Sequence, residues 1–432
     1  QLTRLFIPIC LETLFYMLSG MVDTLMLSAV GDYAVGAVGT ANSYIGIFII
    51  MFSIISSGMV SVMTQNIGAG RPGVAYQARQ LGLLFNAVAG VLMAVFLFSG
   101  AGAILRMVGI ADALYEPALI YLKIVGGGCI LNAVIPIFSS YLRAFGYTKQ
   151  PLYATIVGNI ANFVMNAVFL FVLHKGVAGV AAATVISKIL NLCIVLYFSH
   201  KLISAKNSTE RIANKTVLGQ IVKVGLPSAC ETALYNVAMM LVIRFLNQMD
   251  AEGLNVTARS YTATISNFSY CVGAALAQAN AIMTGWHIGA GELEECDRGT
   301  KRAAFVGVCV AVCMETAIVL GSGFIMPLFT DNPEMTALVR KLLAIDIVLE
   351  IGRVTNLVFG QALKTSGDAV FPAVIAAVFM FVFAVGGTWL FGISMGLMAV
   401  GAYIGLASDE CVRAVGMVWR WKTGKWRTKK LV

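Results

Sequence analysis

Asp23 is the residue whose setting most demands a chemical explanation. It sits in an otherwise apolar stretch, residues 5–28, that reads as a membrane-crossing helix. A carboxylate at that depth costs about 2.5–3.5 kcal/mol, so it needs a partner or a task. Asn162 and Asn166, four apart, share one face of a later span, and Asn159 completes the stripe. A carboxylate with amide and hydroxyl oxygens beside it would suit a hard monovalent cation. Alternatively Asp23 carries a proton, or it is simply clamped between helices by hydrogen bonds.

A second set of charges lies in the other half of the chain. Asp346, Glu350 and Arg353 are spaced i, i+4, i+7 and fall on one helix face. Asp409, Glu410 and Arg413 lie within the last span, Asp409 and Arg413 one turn apart, while Glu231 and Glu315 add acids on two further spans. Facing lipid would be costly, so these groups should converge inside the bundle. They form either a proton or ion path with arginine as counter-charge, or a static network. The acids outnumber the arginines, which favours titration of at least one carboxyl.

Glu12 and Glu231 each stand one turn after a helix-entry proline, Pro8 and Pro227. They serve either to attract a cationic substrate or as caps and hydrogen-bond partners. Tyr16, Met51, Tyr235, Met239, Met240 and Tyr261 lie on spans expected to wall a central cavity. Methionine and aromatic walls suit varied lipophilic cations, and ordinary helix packing is the plainer reading.

The elements that must position these residues are membrane helices. Hydrophobic residues make up 59% of the 432 and charged residues 12%, against about 25% charged in soluble domains. Hydropathy and punctuation give twelve spans, near 5–28, 40–64, 80–105, 115–142, 151–173, 177–199, 217–246, 255–283, 303–328, 340–363, 371–391 and 395–419. The net charge of +9 is not a nucleic-acid signature. With the N-terminus inside, twenty Lys and Arg fall on the cytoplasmic side, Lys206 among them, and four on the other. That asymmetry puts both termini in the cytoplasm. Gln1 opens directly into the first span, so no cleavable signal peptide is expected ahead of it. The basic tail with Trp419, Trp421 and Trp426 reads as an interfacial anchor on anionic lipid.

The chain also repeats itself. Pro8, Glu12, Thr13 and Tyr16 return 219 residues later as Pro227, Glu231, Thr232 and Tyr235. Ile67-Gly68-Ala69-Gly70 returns as Ile288-Gly289-Ala290-Gly291, and Arg143, Gly146 and Pro151 return as Lys364, Gly367 and Pro372, both at an offset of 221. The counterpart of Asp23 is Val242, so the fold itself does not require an acid there. Six spans per copy is an even number, which makes the repeat parallel. The expected architecture is all-α: a six-helix lobe over 1–200, a cytoplasmic linker over 201–216, and a second six-helix lobe over 217–432 ending in the basic tail. The lobes should form a V around a central cavity.

Several functions are argued against. No phosphate-binding loop occurs, so the chain is not expected to hydrolyse ATP. His174, His200 and His287 lie near span ends without metal-ligand spacing, so no transition-metal site is expected. The nine cysteines are scattered without CxxC pairing and read as small buried apolar residues. No Ser-His-Asp arrangement is evident, and the chain is not read as an enzyme.

Val22-Asp23-Thr24-Leu25-Met26, the Gly-Ala-Gly after the second span and Arg143-Ala144-Phe145-Gly146 after the fourth resemble the multidrug and toxic compound extrusion family. So do Asn162-x-x-x-Asn166 and Gly179-Val180-Ala181-Ala182-Ala183-Thr184. The resemblance covers the whole chain, repeat included. It implies a cation-coupled antiporter that expels amphipathic, often cationic compounds by alternating access. It also implies a cation site in the first lobe at Asp23, Asn162, Asn166 and Thr184. Asn166 stands where some members carry Asp, which removes one carboxylate. In the second lobe the pattern departs further, with Arg353 where other members place an Asp. The expectation is therefore a monomeric multi-pass protein of a bacterial inner membrane. It would use Na⁺ or H⁺ as coupling ion and no cofactor. The alternative is a flippase for lipid-linked oligosaccharide from the same superfamily.

Overall fold

Fourteen α-helices and no strand make up the computed structural model, which describes residues 1–204 and 208–432. Lys206, one of the basic residues assigned to the linker, lies outside the described residues. The helices are α1 (Leu2–Ser28), α2 (Asp32–Gly68), α3 (Pro72–Val108), α4 (Asp112–Gly127), α5 (Ile130–Ala144), α6 (Lys149–Ala167) and α7 (Gly176–Leu202). They continue with α8 (Asn214–Met249), α9 (Leu254–Gly289), α10 (Leu293–Leu320), α11 (Ser322–Ile325), α12 (Pro333–Ser366), α13 (Val370–Phe379) and α14 (Met398–Lys422). Every backbone amide of a spanning segment must find its partner within the segment, which is why an apolar chain of this kind is helical throughout.

Among the described residues, eight helices are long and apolar enough to cross a membrane, and α4 with α5 make a ninth span as a bent pair. The remaining three, α9, α12 and α14, have 36, 34 and 25 residues. They are the helices that carry Arg259, the Asp346–Glu350–Arg353 face and the Asp409–Glu410–Arg413 cluster. Together these segments occupy the twelve places read from the sequence.

Two local features differ from the sequence reading. The fourth span is not one rod: it breaks between Gly127 and Ile130 with a bend of 43°. Three consecutive glycines, Gly126 to Gly128, leave the helix without side chains to hold it straight, and such stretches are where helices kink. Second, α6 does not end on a regular turn. It passes into a π-helical turn at Val168–Val172, and the same happens in the other copy, where Met380–Val385 and Thr388–Ser394 are π-helical.

The chain divides into two compact units, Gln1 with Thr3–Leu226 and Leu2 with Pro227–Val432. The division falls at Pro227, inside α8. The first unit's core gathers Leu27, Val38, Phe52, Leu97, Leu105 and Leu122 with many alanines. The second unit's main core gathers Val242, Leu246, Ile265, Met326, Leu342 and Tyr403. Lipid supplies no hydrophobic drive between helices, so close approach at small residues does much of the packing. Gly352 shows this directly: a Cβ there would meet the Glu410 carbonyl carbon at 2.7 Å and the Cys411 nitrogen at 2.8 Å. The backbones of α12 and α14 therefore touch at the level of their charged residues.

The repeat is also visible in the backbone. Gly70 and Gly291, closing α2 and α9, have φ of 75° and 78°, and Gly146 and Gly367 have 87° and 104°. Each copy thus needs glycine in the left-handed region at the same helix exits.

Two of the three tail tryptophans expected to anchor on lipid are instead buried in the protein. Trp421 and Trp426 are each 1% exposed and stack at 4.2 Å. Their indole N–H groups donate to Asp297 Oδ1 at 2.8 Å and to the Trp421 carbonyl at 3.0 Å. Protein acceptors satisfy both donors, which frees the rings to be buried; only Trp419 remains exposed.

Candidate functional site

In the first unit α1 carries Asp23 and α6 presents Asn162 and Asn166 to it. Both amides donate to the same carboxylate oxygen, Asn162 Nδ2 at 2.8 Å and Asn166 Nδ2 at 2.7 Å from Asp23 Oδ1. An ionised carboxylate only accepts, so the amide nitrogens turn toward it and the amide oxygens turn away. Those two oxygens are buried without a hydrogen-bond partner. Asn159, one turn earlier, donates to the Phe15 carbonyl at 3.0 Å, so all three asparagines of the stripe face α1 or its backbone.

Thr184 does not reach the carboxylate with its hydroxyl, which donates to the Val180 carbonyl of its own helix at 2.9 Å. It neighbours Tyr121, whose hydroxyl donates to Asn42 Oδ1 at 3.2 Å and which itself lies near Asp23. Lys188 completes the surroundings: its ammonium donates to Asn132 Oδ1 at 2.8 Å and lies within electrostatic reach of Asp23. Tyr121, Asn42, Asn132 and Lys188 were not assigned to this site from the sequence. Their signal was present, since each is a polar group in an apolar span, but nothing in the spacing said which spans meet.

Glu12 and Glu231 are both ion-paired. Arg143 Nη2 lies 2.6 Å from Glu12 Oε1, with both side chains 15% exposed, and Lys364 Nζ lies 2.7 Å from Glu231 Oε2. Thr155 adds a long hydrogen bond to Glu12 at 3.4 Å.

The second unit holds a cavity of about 470 Å³ walled by both charged and apolar side chains. Its wall includes Glu231, Tyr235 and Met239 from one face of α8, Asp346 and Arg353 from α12, and the acidic pair of α14. Arg353 Nη1 donates to Glu350 Oε1 at 2.5 Å, and its Nε lies 3.9 Å from Glu410. Arg413 Nη2 bridges Asp409 and Glu410, 3.0 Å from each. The charges of α12 and α14 thus converge as their spacing implied. Arg259, Tyr270, Asn267 and Gln361 also line the cavity and were not singled out beforehand. Glu315 on α10 is fully buried behind it, in a group with Asp346 and Glu350.

The expected substrate-wall residues separate. Tyr235 and Met239 line this cavity, whereas Met240 does not and is 69% exposed. Tyr261 packs on Phe329 at 5.6 Å. Tyr16 and Met51 are exposed at 75% and 47%.

Comparison with known proteins follows the same outline. The family model described as MatE matches residues 8–168 and again 227–390, each match opening on a helix-entry proline. The uncharacterized transporter YisQ of Bacillus subtilis is 32% identical over 98% of this chain and 94% of its own length. The probable multidrug resistance protein NorM of Thermotoga maritima is 20% identical over the full chain and 94% of its own. Among solved structures, a mutant of the Vibrio cholerae MATE transporter VcmN superposes with a TM-score of 0.89 at 18% identity. That match covers 100% of this chain and 97% of the other, and establishes likeness of fold.

Proposed function

The chain belongs to the MatE family of multi-pass membrane transporters, and on that premise we propose that it is a cation-coupled antiporter. Its cargo is an amphipathic, often cationic organic compound, expelled across a bacterial inner membrane while Na⁺ or H⁺ moves inward. Both termini are proposed to be cytoplasmic.

The observation that supports this best is Asp23. The fold does not need an acid there, because the repeat-related position is Val242. Yet α6 supplies two amides to hold it. A cation or proton arriving at Asp23 neutralises the acceptor and weakens both hydrogen bonds, loosening α1 from α6. Coupling requires only that substrate and cation prefer different arrangements of those helices. The measurement is export from proteoliposomes under an imposed Na⁺ or H⁺ gradient; export indifferent to both gradients removes the reading.

A flippase for lipid-linked oligosaccharide is less well supported. Holding a diphosphate calls for unpaired cations, and the lysine and arginines of the second-unit cavity face as many carboxylates.

A further inference from the structure

We propose that the cleft between the first turns of α3 and the 208–214 segment binds the headgroup phosphate of an anionic phospholipid. The cleft lies within the first unit and has a volume of about 560 Å³. Tyr76, Gln80, Leu81 and Leu84 of α3 line it, with Arg211 and Ile212 opposite them. Its size is that of a small-ligand site.

Two arginines meet at its wall. The guanidinium carbons of Arg79 and Arg211 lie 4.7 and 5.4 Å from the centre of the same ring, Tyr76. Arg79 also faces the rings of Phe138 and Tyr141, at 5.3 and 5.2 Å. Its Nη2 donates to Gln80 Oε1 at 2.6 Å, and its Nε has no hydrogen-bond partner. Arg211 holds the carbonyls of Gly73, Ser208 and Glu210 with one nitrogen, Nη1. All these acceptors are neutral, and the titratable groups around Arg79 are Tyr76 and Tyr141. Two positive charges thus gather at one ring with no carboxylate between them, an arrangement that an anion stabilises. The guanidinium fork matches phosphate oxygens in particular.

The arrangement is built into the fold. Gln77, 6% exposed, clamps the linker from both sides: its Oε1 accepts from the Ile212 N–H at 3.1 Å and its Nε2 donates to the Ile212 carbonyl at 2.6 Å. A Cβ at Gly73 would meet the Glu210 carbonyl oxygen at 2.6 Å, so the linker backbone rests directly on α3. Arg211 is thereby fixed before any ligand arrives. The base itself is not a requirement of the repeat, because the position 221 residues after Arg79 is Thr300.

Depth favours lipid over free phosphate. The expected apolar span of α3 begins at residue 80, which sets Arg79 at headgroup level. Beyond it Leu84, Val88, Val91 and Val95 are exposed and share one face of α3. A phospholipid held by its phosphate lays an acyl chain along that stripe; inorganic phosphate gains nothing from it.

The proposal concerns neither coupling nor cargo and is tested by binding. Purified full-length protein, delipidated in a neutral detergent, is followed by thermal unfolding. Its micelles are enriched in phosphatidylglycerol or in phosphatidylethanolamine, or inorganic phosphate is added. The expected result is a saturable rise in Tm with phosphatidylglycerol, a weaker one with phosphatidylethanolamine, and none with inorganic phosphate. Arg79→Gln and Arg211→Gln should each raise the half-saturating mole fraction about fivefold, the effect of one basic residue at an anionic surface. Arg302→Gln, which removes an exposed charge from α10, should leave it unchanged. Leu84→Asn, at an exposed position on the acyl stripe, should raise it severalfold and serves if the arginine variants fail to fold. The proposal is overturned if wild-type protein shows no saturable rise, or if phosphatidylethanolamine or inorganic phosphate acts as strongly as phosphatidylglycerol. It is equally overturned if the arginine variants or Leu84→Asn saturate at the wild-type mole fraction, or if Arg302→Gln shifts it as far as they do.

Discussion

Glu231 pairs with Lys364 as Glu12 pairs with Arg143, at 2.7 Å and 2.6 Å. The acids are 219 residues apart and the bases 221, so the same contact is made once in each copy of the repeat. In both, the acid sits one turn past the proline that opens the matched region, and the base sits three residues before a glycine of positive φ. The pair ties the start of each unit's first span to the end of its fourth.

Breaking the pair should therefore destabilise its own unit. Arg143→Ala leaves Glu12 with little access to water. Its cost should exceed the ~1 kcal/mol of an exposed pair and fall short of the roughly 3–5 kcal/mol of a fully buried one. The exchange Glu12→Arg with Arg143→Glu should recover most of the loss. Thermal unfolding of the purified variants measures both; an unchanged Tm in Arg143→Ala would show that the contact carries no stability.

Asp23→Asn should abolish coupled export while the protein still inserts and elutes as wild type. The substitution keeps the shape and leaves one oxygen to accept from Asn162 and Asn166, but it removes the charge that a cation or proton would neutralise. Asn162→Ala and Asn166→Ala should each weaken export less than Asp23→Asn does, since one amide remains on the carboxylate. Substrate flux under a cation gradient is the readout. Wild-type flux in Asp23→Asn would exclude this carboxylate from coupling.

Gly352→Ala should be among the more damaging small substitutions. The added methyl would press on the α14 backbone at Glu410 and Cys411, and overpacking of this kind typically costs about 1–3 kcal/mol. Separating α12 from α14 would also part Arg353 from Glu410. Gly299→Ala in α10 is the control, because nothing lies within 4 Å of a Cβ there. It should gain about 0.5–1 kcal/mol from helix propensity. Equal losses in the two variants would contradict the close approach.

The turn before α9 should respond to acid. Partial burial pushes the Asp250 carboxyl upward. The Asn255 side chain and the backbone amides of Asn255 and Leu254 outweigh that effect and hold it below its ordinary 3.8. A carboxyl depressed in the folded state contributes stability that is complete above 3.8 and is lost as pH falls through the lower folded value. Hydrogen-exchange protection at Leu254 and Asn255 should decline over that acidic interval. Asp250→Asn should flatten the dependence.

Much of the fold was legible because membrane helices announce themselves by apolar length, and because the chain states its pattern twice. The candidate residues were legible for a related reason: a polar group in an apolar span is conspicuous. Periodicity also placed Asp346, Glu350 and Arg353 on one face. It could not tell which face of which helix that stripe would meet. Glu12 and Arg143 lie 131 positions apart, and no local rule links them. The same limit hid Lys188 from Asp23. The tail misled because a basic segment rich in tryptophan looks alike whether it lies on lipid or folds onto its own helices. Only the acceptors for the two indole N–H groups distinguish the cases.

The wide turn at Val168–Val172 stores one residue more than a regular helical turn would hold, immediately beyond Asn166. Were that surplus passed back along α6, the whole asparagine stripe would swivel by about 100° without a single backbone bond being left open for long. Asp23 would then look at apolar side chains instead of amides. The register in which α6 meets α1 thus depends on the surplus residue lying beyond Asn166 rather than before it.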